Sequence, residues 1–175
     1  MREVNYDVNK TELYKFIEAK EWDEVLSRLR SNPEEAATWV VRYTENDPDA
    51  IMWRLLPLHA ACYPEMTYVP SDDKTVRCGI RAKGRVIDAL LQVYPKAAKK
   101  KDDKLMIPLH LACRNSAPMN VLRSLLHAHP RGINSKDYRA RTPLELVEQS
   151  KDTLNQGAIV NFLLENKVIA RERSY

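Results

Sequence analysis

Leu56-Pro57-Leu58-His59-Ala60-Ala61-Cys62 and Ile107-Pro108-Leu109-His110-Leu111-Ala112-Cys113 read almost the same, and Thr142-Pro143-Leu144-Glu145-Leu146 echoes their opening. Each places a proline where a helix can begin, because the first-turn N–H has no intrahelical partner. The copies keep a fixed period. Pro108 and Pro143 lie 35 residues apart, as do Pro95 and Pro130, and the steps Pro95 to Pro108 and Pro130 to Pro143 are both 13. Between these landmarks, Val86-Ile87-Asp88-Ala89-Leu90-Leu91 and Val121-Leu122-Arg123-Ser124-Leu125-Leu126 set apolar residues at i, i+1, i+4 and i+5, one helical face. The unit is a short helix opened by proline, a loop, a second helix, and a polar stretch that leads to the next proline. Repetition at this period predicts an array of stacked units. An array has no single enclosed pocket, so function is sought on a surface.

The pattern resembles the ankyrin repeat, whose Thr-Pro-Leu-His-x-Ala signature opens the first of two antiparallel helices. Pro57-Leu58-His59-Ala60-Ala61 and Pro108-Leu109-His110-Leu111-Ala112 carry the match. The chain departs from the family at two places. Leu56 and Ile107 stand where the motif has threonine, and the third copy keeps Thr142 but has Glu145 for histidine, so the threonine–histidine bond is unavailable in all three. In place of the family's Gly-Ala-Asp turn, the second helix is followed by Tyr94-Pro95-Lys96-Ala97-Ala98, by His129-Pro130-Arg131-Gly132-Ile133, and one repeat earlier by Asn32-Pro33-Glu34-Glu35-Ala36-Ala37. The resemblance implies an all-α, slightly curved solenoid of about four helix pairs with short finger hairpins, a single domain over 1–175. Its repeats span roughly 11–37, 55–98, 106–133 and 141–166, with tails at 1–10 and 167–175.

Composition fits that picture. The chain of 175 residues is 44% hydrophobic and 30% charged, as folded proteins are. Its four glycines argue against sheet-rich architectures that need many tight turns. No apolar run approaches the length of a membrane span, and the first twenty residues show no signal-peptide core. Three cysteines, an odd number, fit reduced thiols and an intracellular, soluble protein. The net charge of +4 conceals a polarity: residues 1–50 carry seven Lys/Arg against twelve Asp/Glu, and residues 74–104 carry ten against three.

Two insertions interrupt the register. Sixteen extra residues fall within 64–81, a polar segment with Pro70 and Gly79 that reads as a loop. Eleven more enlarge the first finger, 38–54. There Trp39-Val40-Val41-Arg42-Tyr43 and Ala50-Ile51-Met52-Trp53-Arg54 flank a turn-rich hexapeptide and read as a β-hairpin, with a helix continued through 34–41 as the competitor.

Candidate chemistry is sparse. Cys62 and Cys113 each follow a histidine by three residues, which would suit a metal, but all four positions are repeat framework. Cys78 lies beside Arg77 and Arg81, neighbours able to lower a thiol pKa. No nucleophile elbow or phosphate-cradling loop is present, and no paired-carboxylate motif stands in a convincing context. The chain is thus read as a non-catalytic protein-binding module, an adaptor or small subunit of a larger complex, with no cofactor and no metal. Two surfaces are candidates. One is a basic ridge where Lys99, Lys100, Lys101 and Lys104 on one finger meet Lys136, Arg139 and Arg141 on the next, facing an acidic protein partner or, as the alternative, nucleic acid. The other is aromatic: Trp39, Tyr43 and Trp53 on the enlarged finger, joined by Tyr138.

Overall fold

The structure, a computed structural model, describes residues 2–47, 49–63, 73–149 and 156–172; side chains of 73–82 and 168–172 lie outside the description. The chain gathers into two compact units. One comprises Met1–Ala61 together with the chain up to Ala97 that includes the long fifth helix; the other comprises Ala98–Tyr175 with Cys62 and Tyr63.

The first unit opens with strand β1 (Glu3–Asn5) and one helical turn, α1 (Tyr6–Asn9), where the Asn5 side chain accepts the Asp7 N–H. An antiparallel helix pair follows, α2 (Glu12–Ala19) and α3 (Trp22–Ser31). Thr11 caps α2 by accepting the Tyr14 N–H, and Lys20 ends it in the left-handed conformation (φ 61°). The apolar stripe Leu13, Tyr14, Ile17, Val25 and Leu29 is buried. A 3-10 turn, Pro33–Ala37, then brings Glu35 under the pair. Its carboxylate accepts the Leu13 N–H at 2.8 Å through one oxygen and pairs with Arg28 through the other. An otherwise orphaned donor of the first turn of α2 is thereby satisfied. Strands β2 (Trp39–Tyr43) and β3 (Ile51–Leu55) form the hairpin, closed by the Thr44 N–H to the Ala50 carbonyl. A bulge lies between Arg42 and Tyr43. The unit ends with α4 (Pro57–Ala61) and α5 (Asp73–Val93).

Beyond a second 3-10 turn, Pro95–Lys99, the second unit consists of α6 (Pro108–Arg114), α7 (Met119–Ala128), a third turn Pro130–Asn134, α8 (Pro143–Glu148) and α9 (Gln156–Glu172). Leu109, Leu111, Val121, Leu122, Leu125, Ile133, Leu146 and Leu163 form its buried interior.

The expected all-α solenoid is corrected by a sheet. β1 pairs in parallel with β2, Val4 opposite Val40, and β2 pairs antiparallel with β3, giving a mixed three-stranded sheet in the order β1-β2-β3. The segment read as a tail at 1–10 supplies its first strand. Val4 and Val40 share a face with Leu55 and Tyr14, and Tyr6 and Trp53 pack against that cluster. A three-residue strand is too short to declare a period of two, which is why the sequence conceals it. Two further expectations change. α5 begins at Asp73, so the later part of the segment read as a loop at 64–81 is helical, while residues 64–72 lie outside the described residues. α9 continues to Glu172, into the stretch read as the tail 167–175. Residues 150–155 lie outside the described residues as well. No described helix is long and apolar enough to cross a membrane.

Candidate functional site

Two fingers of the second unit are built alike, 35 residues apart. In the first, Asp102 Oδ1 accepts the N–H groups of Lys104 and Met106, each at 2.8 Å. In the second, Asp137 Oδ1 accepts those of Arg139 (2.8 Å) and Arg141 (2.9 Å). The Asp102 N–H donates to the Met106 carbonyl and the Asp137 N–H to the Arg141 carbonyl, closing each tip. Leu105 and Ala140, at matching positions, both take left-handed backbone (φ 56° and 60°). Aspartate at the turn start is what this geometry asks for, since its short carboxylate reaches the backbone two residues on.

The fingers are joined to each other by backbone. The Tyr138 N–H donates to the Lys104 carbonyl at 3.1 Å, and Lys101 Nζ donates to the Lys136 carbonyl at 3.3 Å. Both turn aspartates are buried. Lys99, Lys101, Lys104, Lys136 and Arg139 are exposed, whereas Lys100 and Arg141 are half-buried. The arrangement hides these two carboxylates and presents cations, with Asp103 exposed among them.

The two aspartates differ electrostatically. Burial raises the pKa of the Asp102 carboxyl, only partly opposed by the Met106 and Lys104 N–H groups. Burial acts on Asp137 in the same sense, but the Arg141 backbone and guanidinium, with the Arg139 N–H, outweigh it and hold the carboxyl below the usual range. Arg141 Nη2 lies 2.8 Å from Asp137 Oδ2. This arginine, expected on the ridge, therefore serves its own finger, and it also reaches Gln149.

His110 fastens the second finger to α6. Its Nδ1 accepts the Ile107 N–H at 3.3 Å, and its Nε2 faces the carbonyls of Ser135 (3.1 Å) and Arg141 (3.2 Å). An N–H on one side and two carbonyls on the other fix the neutral tautomer protonated at Nε2. Burial pushes its pKa down, against the two carbonyls, which pull it up. With no threonine at 107, the histidine bonds backbone alone. At the next copy, Thr142 and Glu145 replace this pair: the glutamate accepts both the Thr142 N–H and its hydroxyl.

The aromatic residues divide. Trp39 is only 4% exposed and stacks on His59 with centroids 5.7 Å apart, so it is core and offers no partner a surface. Trp53 is half-buried, its ring 4.9 Å from Tyr6 in an edge contact. Tyr6, which the sequence reading left in a tail, is the centre of this cluster, with Lys10 Nζ 3.9 Å and the Arg42 guanidinium 5.3 Å from its ring centroid. Tyr43 is half-buried near the hairpin tip, where Ile51 and Met52 are exposed. Tyr138 alone of the four is well exposed, at 51%, with the Arg139 guanidinium over its ring at 5.2 Å.

Cys62 and Cys113 are buried, and burial, with Cys62 close by, pushes the Cys113 thiol well up. The Cys78 side chain lies outside the described residues. Among the described residues no cluster of His, Cys, Asp and Glu is placed to hold a metal ion. No protein-family model matches the chain, and no curated protein matches it.

Proposed function

We propose that the chain is a non-catalytic interaction module, an adaptor or small structural subunit, that binds an acidic protein surface through the paired fingers of its second unit. One observation carries this reading. The fingers bury Asp102 and Asp137 in their turns while Lys99, Lys101, Lys104, Lys136 and Arg139 remain exposed beside one exposed carboxylate, Asp103, so two fingers joined by hydrogen bonds form one surface on which cations outnumber carboxylates. Such a surface attracts acidic groups and speeds their encounter. The helix-pair repeats, which resemble ankyrin units, serve as its support.

The test neutralises Lys99, Lys104 and Lys136 to glutamine in the full chain and measures binding to immobilised polyglutamate and to a single-stranded oligonucleotide. Polyglutamate binding should weaken markedly with the thermal midpoint unchanged. Tighter binding of the oligonucleotide, with a steep fall in affinity as salt rises, would assign the ridge to nucleic acid instead.

A further inference from the structure

Leu105 stands at the tip of the first finger with φ 56°, in the left-handed region that favours glycine. Its side chain is 47% exposed. A leucine about half exposed gains little for folding there. It makes the backbone strained and leaves an apolar surface in water, and glycine would avoid both. The turn needs this backbone, as Ala140 at the matching position shows, but it does not need a leucine, and an exposed leucine kept on it points to a surface role. Beside it lies the other large apolar side chain exposed on these fingers. The Tyr138 N–H is bound to the Lys104 carbonyl, the residue before Leu105, so the two tips bring Leu105 and Tyr138 together on one edge. The exposed cations Lys101, Lys104, Lys136 and Arg139 come from the same two fingers and outnumber the one exposed carboxylate there, Asp103.

From this juxtaposition we infer that the finger edge is a docking site for a short acidic protein segment carrying a large apolar residue, with Leu105 and Tyr138 receiving that residue and the cations receiving its carboxylates. The inference rests on the acidic-partner reading above and narrows it. Interfaces of this kind place an apolar contact at the centre and polar groups at the rim, and the centre supplies most of the binding energy. An aliphatic side chain at the centre suits a peptide. A single-stranded nucleic acid would call for aromatic platforms on which its bases could stack, and the one aromatic ring here already carries Arg139.

A displayed library of short random peptides, selected on the full chain, tests this. The selected sequences should combine Asp or Glu with a large apolar residue. In a synthetic peptide drawn from them, replacing that residue by serine should weaken binding at least about tenfold. Leu105→Gly should remove this apolar gain while the thermal midpoint stays level or rises, and Tyr138→Ala should reduce it. Neutralising Lys104 and Lys136 to glutamine should weaken the parent peptide and its serine form alike. Selection of acidic peptides without apolar preference, or full affinity in Leu105→Gly, would overturn the docking site and leave the acidic-partner reading standing. Absence of acidic enrichment would remove both.

Discussion

At the scale of single residues, the two finger aspartates form a natural experiment. They make the same backbone bonds, yet Met106 stands beside one and Arg141 beside the other, and their pKa values move in opposite directions. For Asp137 the folded value is depressed, so its contribution is present above the unfolded carboxylate range and lost as pH falls through the folded value. For Asp102 the folded value is raised, so acidification through it favours the folded state. Asp137→Asn should then cost about 1–3 kcal/mol at neutral pH, as loss of a charged hydrogen-bond partner does, while Asp102→Asn should cost less. Chemical denaturation of both variants from neutral to acid pH measures this, and their difference should close as the pH falls through the Asp137 transition. Equal losses at neutral pH would contradict the assigned role of Arg141. His110 gives a second sign. A proton on its Nδ1 would face the Ile107 N–H, so its depressed folded value makes stability fall as pH drops below the ordinary histidine range. His110→Gln should destabilise the chain by about 1–3 kcal/mol and flatten that part of the stability–pH profile, to which His129, also depressed chiefly by burial, contributes in the same sense.

At the scale of elements, the 35-residue register and the Pro-opened helices were legible because periodicity reports burial directly. Leu109, Leu111, Val121, Leu122 and Leu125 are all buried. The hairpin was legible too, since a turn-rich hexapeptide between two β-prone runs favours it over a helix continued through 34–41. Hidden from the sequence were features that depend on pairing at a distance: β1 against β2, and Tyr6 against Trp53. Tyr6 has no periodic neighbour to announce it, and it is placed by a strand only three residues long. The same blindness made Trp53 look like a free surface aromatic. Its edge contact with Tyr6 predicts a coupling of about 0.5–1.5 kcal/mol in a double-mutant cycle with Tyr6→Ala and Trp53→Ala. Additive losses would show that the rings merely lie close. The third 3-10 turn offers a sharper case. A Cβ on Gly132 would come within 2.9 Å of both His129 Cδ2 and Ile107 Cδ1, and Ile107 is buried. Gly132→Ala should therefore destabilise by about 1–3 kcal/mol, the range for overpacking, although the corresponding residue of the preceding turn, Ala97, carries a Cβ without difficulty. A thermal midpoint at or above that of the parent chain would refute the clash.

At the scale of the molecule, the uneven spread of charge visible in the sequence became informative only once burial sorted the charges. Of the ridge cations named from sequence, Arg141 is spent on Asp137, while two of the three finger carboxylates, Asp102 and Asp137, are withdrawn into turns and Asp103 stays exposed. The exposed positive set is thus smaller than the sequence suggests, and Asp103 is the one exposed finger carboxylate that faces it. The apolar members, Leu105 in particular, were invisible because nothing in a sequence marks a leucine that will be left-handed and exposed. These two ingredients act on different steps of binding. Rim charges work over about a Debye length, roughly 8–10 Å at ordinary ionic strength, before contact is made. Neutralising Lys104 and Lys136 should therefore slow association of an acidic-apolar peptide, with dissociation little changed, and should flatten the dependence of the association rate on salt. An apolar anchor works only after contact, through desolvation, so Leu105→Gly should quicken dissociation and leave association and its salt dependence as they were. The glycine also relieves left-handed strain of about 1–2 kcal/mol, which offsets its greater chain entropy and keeps folding out of the comparison. Stopped-flow association between about 50 and about 200 mM salt, with dissociation followed by displacement, separates the two. If Leu105→Gly slowed association instead, or if the lysine changes acted mainly on dissociation, the centre and rim of this surface would have to be exchanged.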